Sequence, residues 1–352
     1  MLKKRIAMGI LTGLLACSFI AGCGGDKGTS EPPKPKPIAA DLKDLPNKDI
    51  KAGGRTFKLF ALKNNSKVRL ENSYGKGMKL AVVGRDMIYA NVKDRLVQMQ
   101  WDKDGLRMLD NNVDALSGNA KISSDGTRGI FYTNKRMRLN YFDSETKRIE
   151  EAQGRFNNLV VIPKGNADKA LIWMNQGEMR KVDLRNGYRV GKDLGTVRKE
   201  SRSRDADDKD KINIPQSVVA DRNGDFYVGG NARIGTQDVG LVSVYDFNGK
   251  QKRVIGKEKR EDSKAIYSLT DIALTDEYLV VSDSSVDKQQ LQIYRKNTGT
   301  LVGTVSYKDL TDNKETSIGA CVNLANMPDN RVLVALSNDR KNMKDEFFIL
   351  QL

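Results

Sequence analysis

The side chains that could do chemistry here are carboxylates, lysines, arginines, tyrosines and three cysteines, because the 352-residue chain has no histidine. Without imidazole there is no Ser-His or Cys-His nucleophile pair, no histidine proton shuttle and no His-ligated zinc or haem. Carboxylate-only hydrolysis survives that exclusion. Asp225, Asp283 and Asp339 fall near the ends of apolar runs, where the carboxylates of such an enzyme would face a central channel, although none is nominated as catalytic. Asp221-Arg222-Asn223-Gly224-Asp225 opens like an EF-hand loop, but the places that need Gly and Glu hold Phe226 and Ala232. A hairpin turn is expected there instead. Asp205, Asp207, Asp208 and Asp210 lie in residues 198–211, a charged insertion interrupted by lysines, and a solvated loop is expected rather than a cation site. No phosphate loop, dinucleotide fingerprint or nucleophile elbow occurs, so no cofactor and no metal is expected.

The elements that must position these residues are short strands. Residues 215–256 form one complete unit. Apolar runs at 216–220, 226–229, 241–246 and 251–255 are separated by Asp-Arg-Asn-Gly-Asp, by a glycine-bearing loop at 229–240, and by Phe247-Asn248-Gly249-Lys250. Asn-Gly and Asp-Gly tolerate the positive φ of tight reversals. Four such strands make one propeller blade, which cannot cover both of its faces alone and so predicts copies of itself. Comparable runs recur at 78–109, 120–152, 158–195, 267–305 and 319–352. The last copy stops on its third strand, and residues 56–62 (TFKLFAL) alternate as a strand. The expectation is an all-β, six-bladed β-propeller over residues 55–352, with 56–62 pairing with 346–352 to complete the last blade. A Gly-His…Trp-Asp signature is absent, which disfavours a WD40 assignment. Trp101 and Trp173 lie within predicted strands and are expected to pack between blades rather than to stack on sugars.

The repeats resemble six-bladed bacterial propellers of the NHL and TolB-like type. That resemblance implies the fold and leaves function to the loops.

The N-terminus is of another kind. Lys3-Lys4-Arg5 precedes an apolar stretch at 6–20 that is short for a membrane span. It ends in Ile20-Ala21-Gly22-Cys23, which resembles the bacterial lipoprotein signal. The resemblance implies that residues 1–22 are a signal peptide removed in the mature chain. It further implies that Cys23 is the lipid attachment site and first mature residue, holding the protein to the membrane through acyl chains of the palmitate type. Gly24 rather than Asp follows it, which by the same resemblance favours the outer membrane in a two-membrane host, and otherwise the outer face of the cell membrane. Residues 23–54 then read as a flexible tether, with Pro32-Pro33-Lys34-Pro35-Lys36-Pro37 favouring extended chain. Cys321, in an apolar run, is expected to be a buried thiol.

Removing the cations Lys3, Lys4 and Arg5 from the formal charge of +15 leaves +12. That balance favours polyanions in general. Basic clusters stand at 250–264 and at Lys135-Arg136-Met137-Arg138. Few aromatics are interleaved, so nucleic acid is not an expected partner. Teichoic acid, lipid A phosphates, acidic polysaccharide and acidic protein faces all stay open. The expected function is an envelope lipoprotein whose propeller is a binding scaffold, with a carbohydrate-active hydrolase or lyase as the alternative.

Overall fold

The computed structural model describes residues 41–70, 78–117, 120–151, 158–161, 169–173, 178–183, 189–196, 212, 214–234, 237–256, 258, 262–285, 287–312, 318–338 and 344–352. Within these, only the backbone is described at 158–178, 181–196, 214, 233–234, 318–321 and 338.

A hairpin of β1 (Asn47–Ala52) and β2 (Arg55–Leu62) comes first. Five four-stranded units follow. They are β3 (Leu80–Val83), β4 (Met87–Val92), β5 (Arg95–Asp102) and β6 (Gly105–Ala115); then β7 (Ile122–Ser124), β8 (Gly129–Thr133), β9 (Leu139–Asp143) and β10 (Ile149–Glu151). The third is β11 (Asn158–Val161), β12 (Lys169–Trp173), β13 (Glu178–Asp183) and β14 (Arg189–Thr196). The fourth is β15 (Ile214–Ala220), β16 (Phe226–Ile234), β17 (Gln237–Tyr245) and β18 (Gln251–Ile255), and the fifth is β19 (Leu269–Leu274), β20 (Tyr278–Ser284), β21 (Gln289–Arg295) and β22 (Leu301–Ser306). After the single turn of α1 (Tyr307–Leu310) come β23 (Ile318–Met327), β24 (Arg331–Asn338) and β25 (Glu346–Gln351).

Every strand pairing is antiparallel between sequence neighbours except one. β2 pairs with β25, from Lys58↔Gln351 to Leu62↔Phe347, which is the terminal pairing expected from the truncated last copy. The first strands β3, β7, β11, β15, β19 and β23 touch in sequence, and β23 touches β3. The sheets therefore stand around a common axis. The chain is an all-β propeller.

Three expectations need correction. First, the sixth sheet is not four-stranded. Its order is β1-β2-β25-β24-β23, so the four-stranded blades number five. β1 adds to the free edge of β2 because Ile50 and Ala52 alternate inward while Asn47, Asp49 and Lys51 stay in solvent. Second, ordered structure starts earlier than residue 55. Asp41 caps a 3₁₀ turn at Leu42–Asp44, and Leu42 and Leu45 are buried in the core. The compact unit spans Ala39–Leu352. Third, residues 229–240 are mostly strand, with Gly229↔Val242, Gly230↔Leu241 and Asn231↔Gly240 paired. A Cβ on Gly240 would lie 2.4 Å from Ile266, so glycine admits the chain between the fourth and fifth blades.

The core lies between sheets. Leu333 and Ala335 pack towards the first blade, with Val82, Val97 and Trp101. Val332, Val334 and Leu336 on the same strand pack towards the fifth, with Val280 and Ile293. Period-two alternation thus serves two neighbours rather than core and solvent, and second strands read as continuous apolar runs. Trp101 is buried in this packing and donates Nε1–H to Arg85 O at 3.0 Å. The side chains of Trp173 and Cys321 lie outside the described residues, as do residues 198–211.

Phe347 is 1% exposed at the closure, where β25 meets the first blade. Phe347→Ala should lower stability by about 3–5 kcal/mol through the cavity it leaves. Urea unfolding should show a lower midpoint at unchanged slope.

Candidate functional site: the mouth of the ring

Antiparallel order sends alternate turns to opposite ends of the propeller. The turns joining first to second strands gather at one end, where they enclose a cavity of about 290 Å³. Four of the blades and the five-stranded sheet line it, through Arg85, Thr127, Asp221 and Arg222, Thr275 and Asp276, and Asn326 to Asn330. Val82, Ala220, Leu274 and Met327 supply apolar surface. A second cavity of about 100 Å³ shares Val82, Gly126, Ala220 and Asn326 with the mouth and reaches Asp271.

The turns are built by carboxylates that accept their own loop's N–H groups. Asp221 Oδ1 accepts from Asn223 N at 2.8 Å and Asp225 N at 3.1 Å, and Gly224 takes φ +88°. The Asp-x-Asn-x-Asp stretch is a hairpin turn, as expected, with Asp221 Oδ1 turned to backbone donors. Asp246 and Asp143 do the same, and the backbone N–H groups of Lys250 and Thr146 lead in holding their carboxyls below the ordinary range.

Charges at the mouth alternate and pair between blades. Arg85 faces Asp329 at 3.8 Å, Arg222 faces Asp276 at 3.4 Å, and buried Lys296 faces Asp221 at 3.7 Å. Asp276 N also donates to Asn330 Oδ1 at 3.0 Å. The rim offers donors and acceptors side by side over an apolar throat. Its three carboxylates are each engaged by a cation of a neighbouring blade.

Of the carboxylates singled out in the sequence, Asp225 is ion-paired with Lys252 at 2.5 Å. Asp283 is fully buried and accepts from Tyr267 N and Ser268 N at 2.9 Å each, so it pins the chain entering the fifth blade. Burial raises its carboxyl, against those N–H bonds. Neither lines the mouth cavity, and Asp339 lies outside the described residues. No cluster of three or more metal-ligating side chains occurs among the described residues.

One buried acid, on the first strand of the fifth blade, was not singled out in the sequence. Asp271 has 0% exposure and joins distant strands. It accepts from Met78 N at 3.2 Å, Leu324 N at 2.8 Å and its neighbour Ile272 N at 2.9 Å. Desolvation pushes its carboxyl up to about 6, opposed by Leu324 N–H, the Ser217 hydroxyl and the charge of Lys121. The available signal was a single acid inside the apolar run Leu269-Thr270-Asp271-Ile272-Ala273-Leu274.

No protein-family model matches the chain, and no curated protein sequence matches it. Among solved structures it is similar to Kuenenia stuttgartiensis hydrazine synthase, at 14% identity over 63% of this chain and 56% of that one, with a TM-score of 0.40. The chain thus spans just over half the length of that relative. It is also similar to the WD40 β-propeller domain of Doa1, at 12% identity over 83% of this chain and 96% of that one, with a TM-score of 0.46. Neither likeness assigns a ligand or a reaction to this chain.

A carboxyl raised from 3.8 to about 6 on folding favours the protonated native state. Its contribution is greatest below pH 4 and is lost as pH rises through 6, by about 3 kcal/mol at most. Urea unfolding of the native chain and of Asp271→Asn across that window should show their stability difference moving against the native chain as pH rises. A difference independent of pH would mean that Asp271 ionises as freely folded as unfolded.

Proposed function

We propose that the chain is a lipid-anchored lipoprotein of the bacterial envelope whose propeller is a binding scaffold, engaging its partner at the mouth of the ring. The observation that carries this is the convergence of turns from four blades and the five-stranded sheet on one cavity. Each turn contributes different side chains to a common rim, which suits recognition of a partner by several loops at once. Anchoring is supported by the basic segment, the apolar stretch and Ile20-Ala21-Gly22-Cys23. Removal of residues 1–22 would leave Cys23 as the acylated first residue. Several acyl chains, at about 0.8 kcal/mol per buried methylene, make a stable anchor. We read the ring as six-bladed and like the NHL and TolB-like propellers, the five-stranded sheet acting as the closing blade. The cyclic contact of the inner strands supports that count. The partner is a protein or an anionic envelope polymer. The carbohydrate-active alternative gains no support from Asp225 or Asp283, each committed to a structural partner.

Two substitutions test the two halves. Cys23→Ala should move the protein from the membrane to the soluble fraction, and unchanged membrane association would contradict lipid anchoring. Arg85→Asp combined with Arg222→Asp removes two exposed pairs, worth about 0–1 kcal/mol each, and should leave the thermal transition within a few degrees of native. Crosslinking and pull-down from the protein's own cells should nevertheless lose the partner by about tenfold or more. Equal recovery would remove the mouth from the proposal.

A further inference from the structure

The ordered chain begins at the end of the ring remote from the mouth. Leu62 is opposite Phe347, and Leu336 is opposite Glu346 at the start of β25. This is the other end of β24 from Pro328-Asp329-Asn330, which line the mouth. Asn47 is opposite Phe60 and so opens β1 at the same remote end. There Lys48 pairs with Asp312, in the chain between β22 and β23, at 2.5 Å. Whatever precedes residue 41 therefore leaves from the remote end, beside the first blade.

The same end carries a basic patch that is unpaired among the described residues. The turn from β4 to β5 and the turn from β8 to β9 are joined by the chain leaving β6. Leu116 N donates to Asp94 O at 2.8 Å, Lys135 N donates to Ala115 O at 3.0 Å, and Leu116 bridges Asn134. Exposed Lys93, Arg95, Lys135, Arg136 and Arg138 thus lie on adjoining turns, with partly buried Met137 among them. None of the five cations is in an ion pair among the described residues, whereas the mouth's Arg85, Arg222 and Lys296 all are. The acids nearby are exposed Asp94; Asp114, opposite Leu96, which accepts from the Tyr132 hydroxyl at 2.7 Å and from Asn140 Nδ2 at 3.1 Å; and Glu151, which accepts from Asn134 Nδ2 at 3.2 Å. Unpaired cations on a fixed scaffold, at the end from which the chain departs, match a surface of negative charge held at that end.

We propose that this patch docks on the anionic headgroups of the membrane that holds Cys23, so that the mouth points away from the bilayer. The inference rests on the anchoring proposed above and adds an orientation to it. The tether read at residues 23–40 gives the domain reach, at most about 3.1 Å per residue where it is Pro-rich, but by itself no preferred direction. Lysines and arginines at an anionic surface supply the preference, about fivefold in population for each charge, and salt screens it.

The test uses the full mature chain, produced in a host that acylates lipoproteins and placed in vesicles. A fluorophore is attached at Met137→Cys or, for the mouth, at Thr127→Cys, each with Cys321→Ser, and the vesicles carry a nitroxide headgroup quencher. In vesicles containing phosphatidylglycerol, the Met137 position should be quenched at least fivefold more than the Thr127 position. The contrast should disappear in pure phosphatidylcholine, at high salt, and in Lys135→Glu with Arg136→Glu and Arg138→Glu. Circular dichroism of that triple variant should match the native chain. Equal quenching at both positions with Cys23 acylated would overturn the docking and leave the anchoring intact. Protection of the Met137 label by free acidic polysaccharide, without quenching by vesicles, would overturn the lipid as partner. Mass spectrometry showing Cys23 unmodified would instead defeat the anchoring. Flotation of the same unacylated chain with phosphatidylglycerol vesicles would then decide the patch, charge-dependent binding supporting it and absence of binding overturning it.

Discussion

Among the described side chains, the second strands of the sheets are buried on both faces, and the rest of the structure follows from that constraint. On β24, Leu333 and Ala335 belong to the core shared with the first blade, while Val332, Val334 and Leu336 belong to the core shared with the fifth. On β25, Phe347 and Ile349 divide from Phe348 and Leu350 in the same way. A sheet built like this has no solvent side. It needs a neighbour on each face, and that neighbour needs another, until the row returns on itself. Closure falls to β2, which crosses from the N-terminal side to pair with β25 and so joins the two ends of the compact unit in one sheet.

Polar groups then fix what apolar packing leaves undetermined. Asp271 draws N–H groups from Met78 and Leu324 to the axis, 193 and 53 residues away in sequence. Asn64 donates to Asp345 O, and Leu70 N donates to Asp345 Oδ2, at the seam where the ring closes. Burying a carboxylate is tolerable only when such donors surround it. Because the turns alternate, these devices also give the ring two distinct ends. One end has a cavity rimmed by paired charges, and the other has cations unpaired among the described residues and the incoming chain.

Much of the fold was legible because its signals are local. Asp221-Arg222-Asn223-Gly224-Asp225 announces a reversal through residue types that tolerate it, and the missing fourth strand after β25 announces the need for β2. β1 was not legible, since Asn47-Lys48-Asp49-Ile50-Lys51-Ala52 has only two inward apolar residues and its place depends on an edge that the sequence does not display. The site was less legible still. Asp225 and Asp283 looked like channel residues from their positions at strand ends, but which oxygens meet which donors is decided by blade twist and by segments far away in the chain. Asp271 became significant only when Met78, Leu324 and its own neighbour Ile272 brought their N–H groups to it.

The β2–β25 pairing holds the whole ring, and amide hydrogen exchange under native conditions is the measurement that tests this. If the ring is one cooperative unit, the strand-paired amides between Lys58 and Leu62 and between Phe347 and Leu350 should exchange only through global unfolding. They should share the opening free energy of the buried amides of β19 and β20. Exchange of the β2 amides at a markedly lower opening free energy than β20 would contradict it, because the ring would then be standing without its closure.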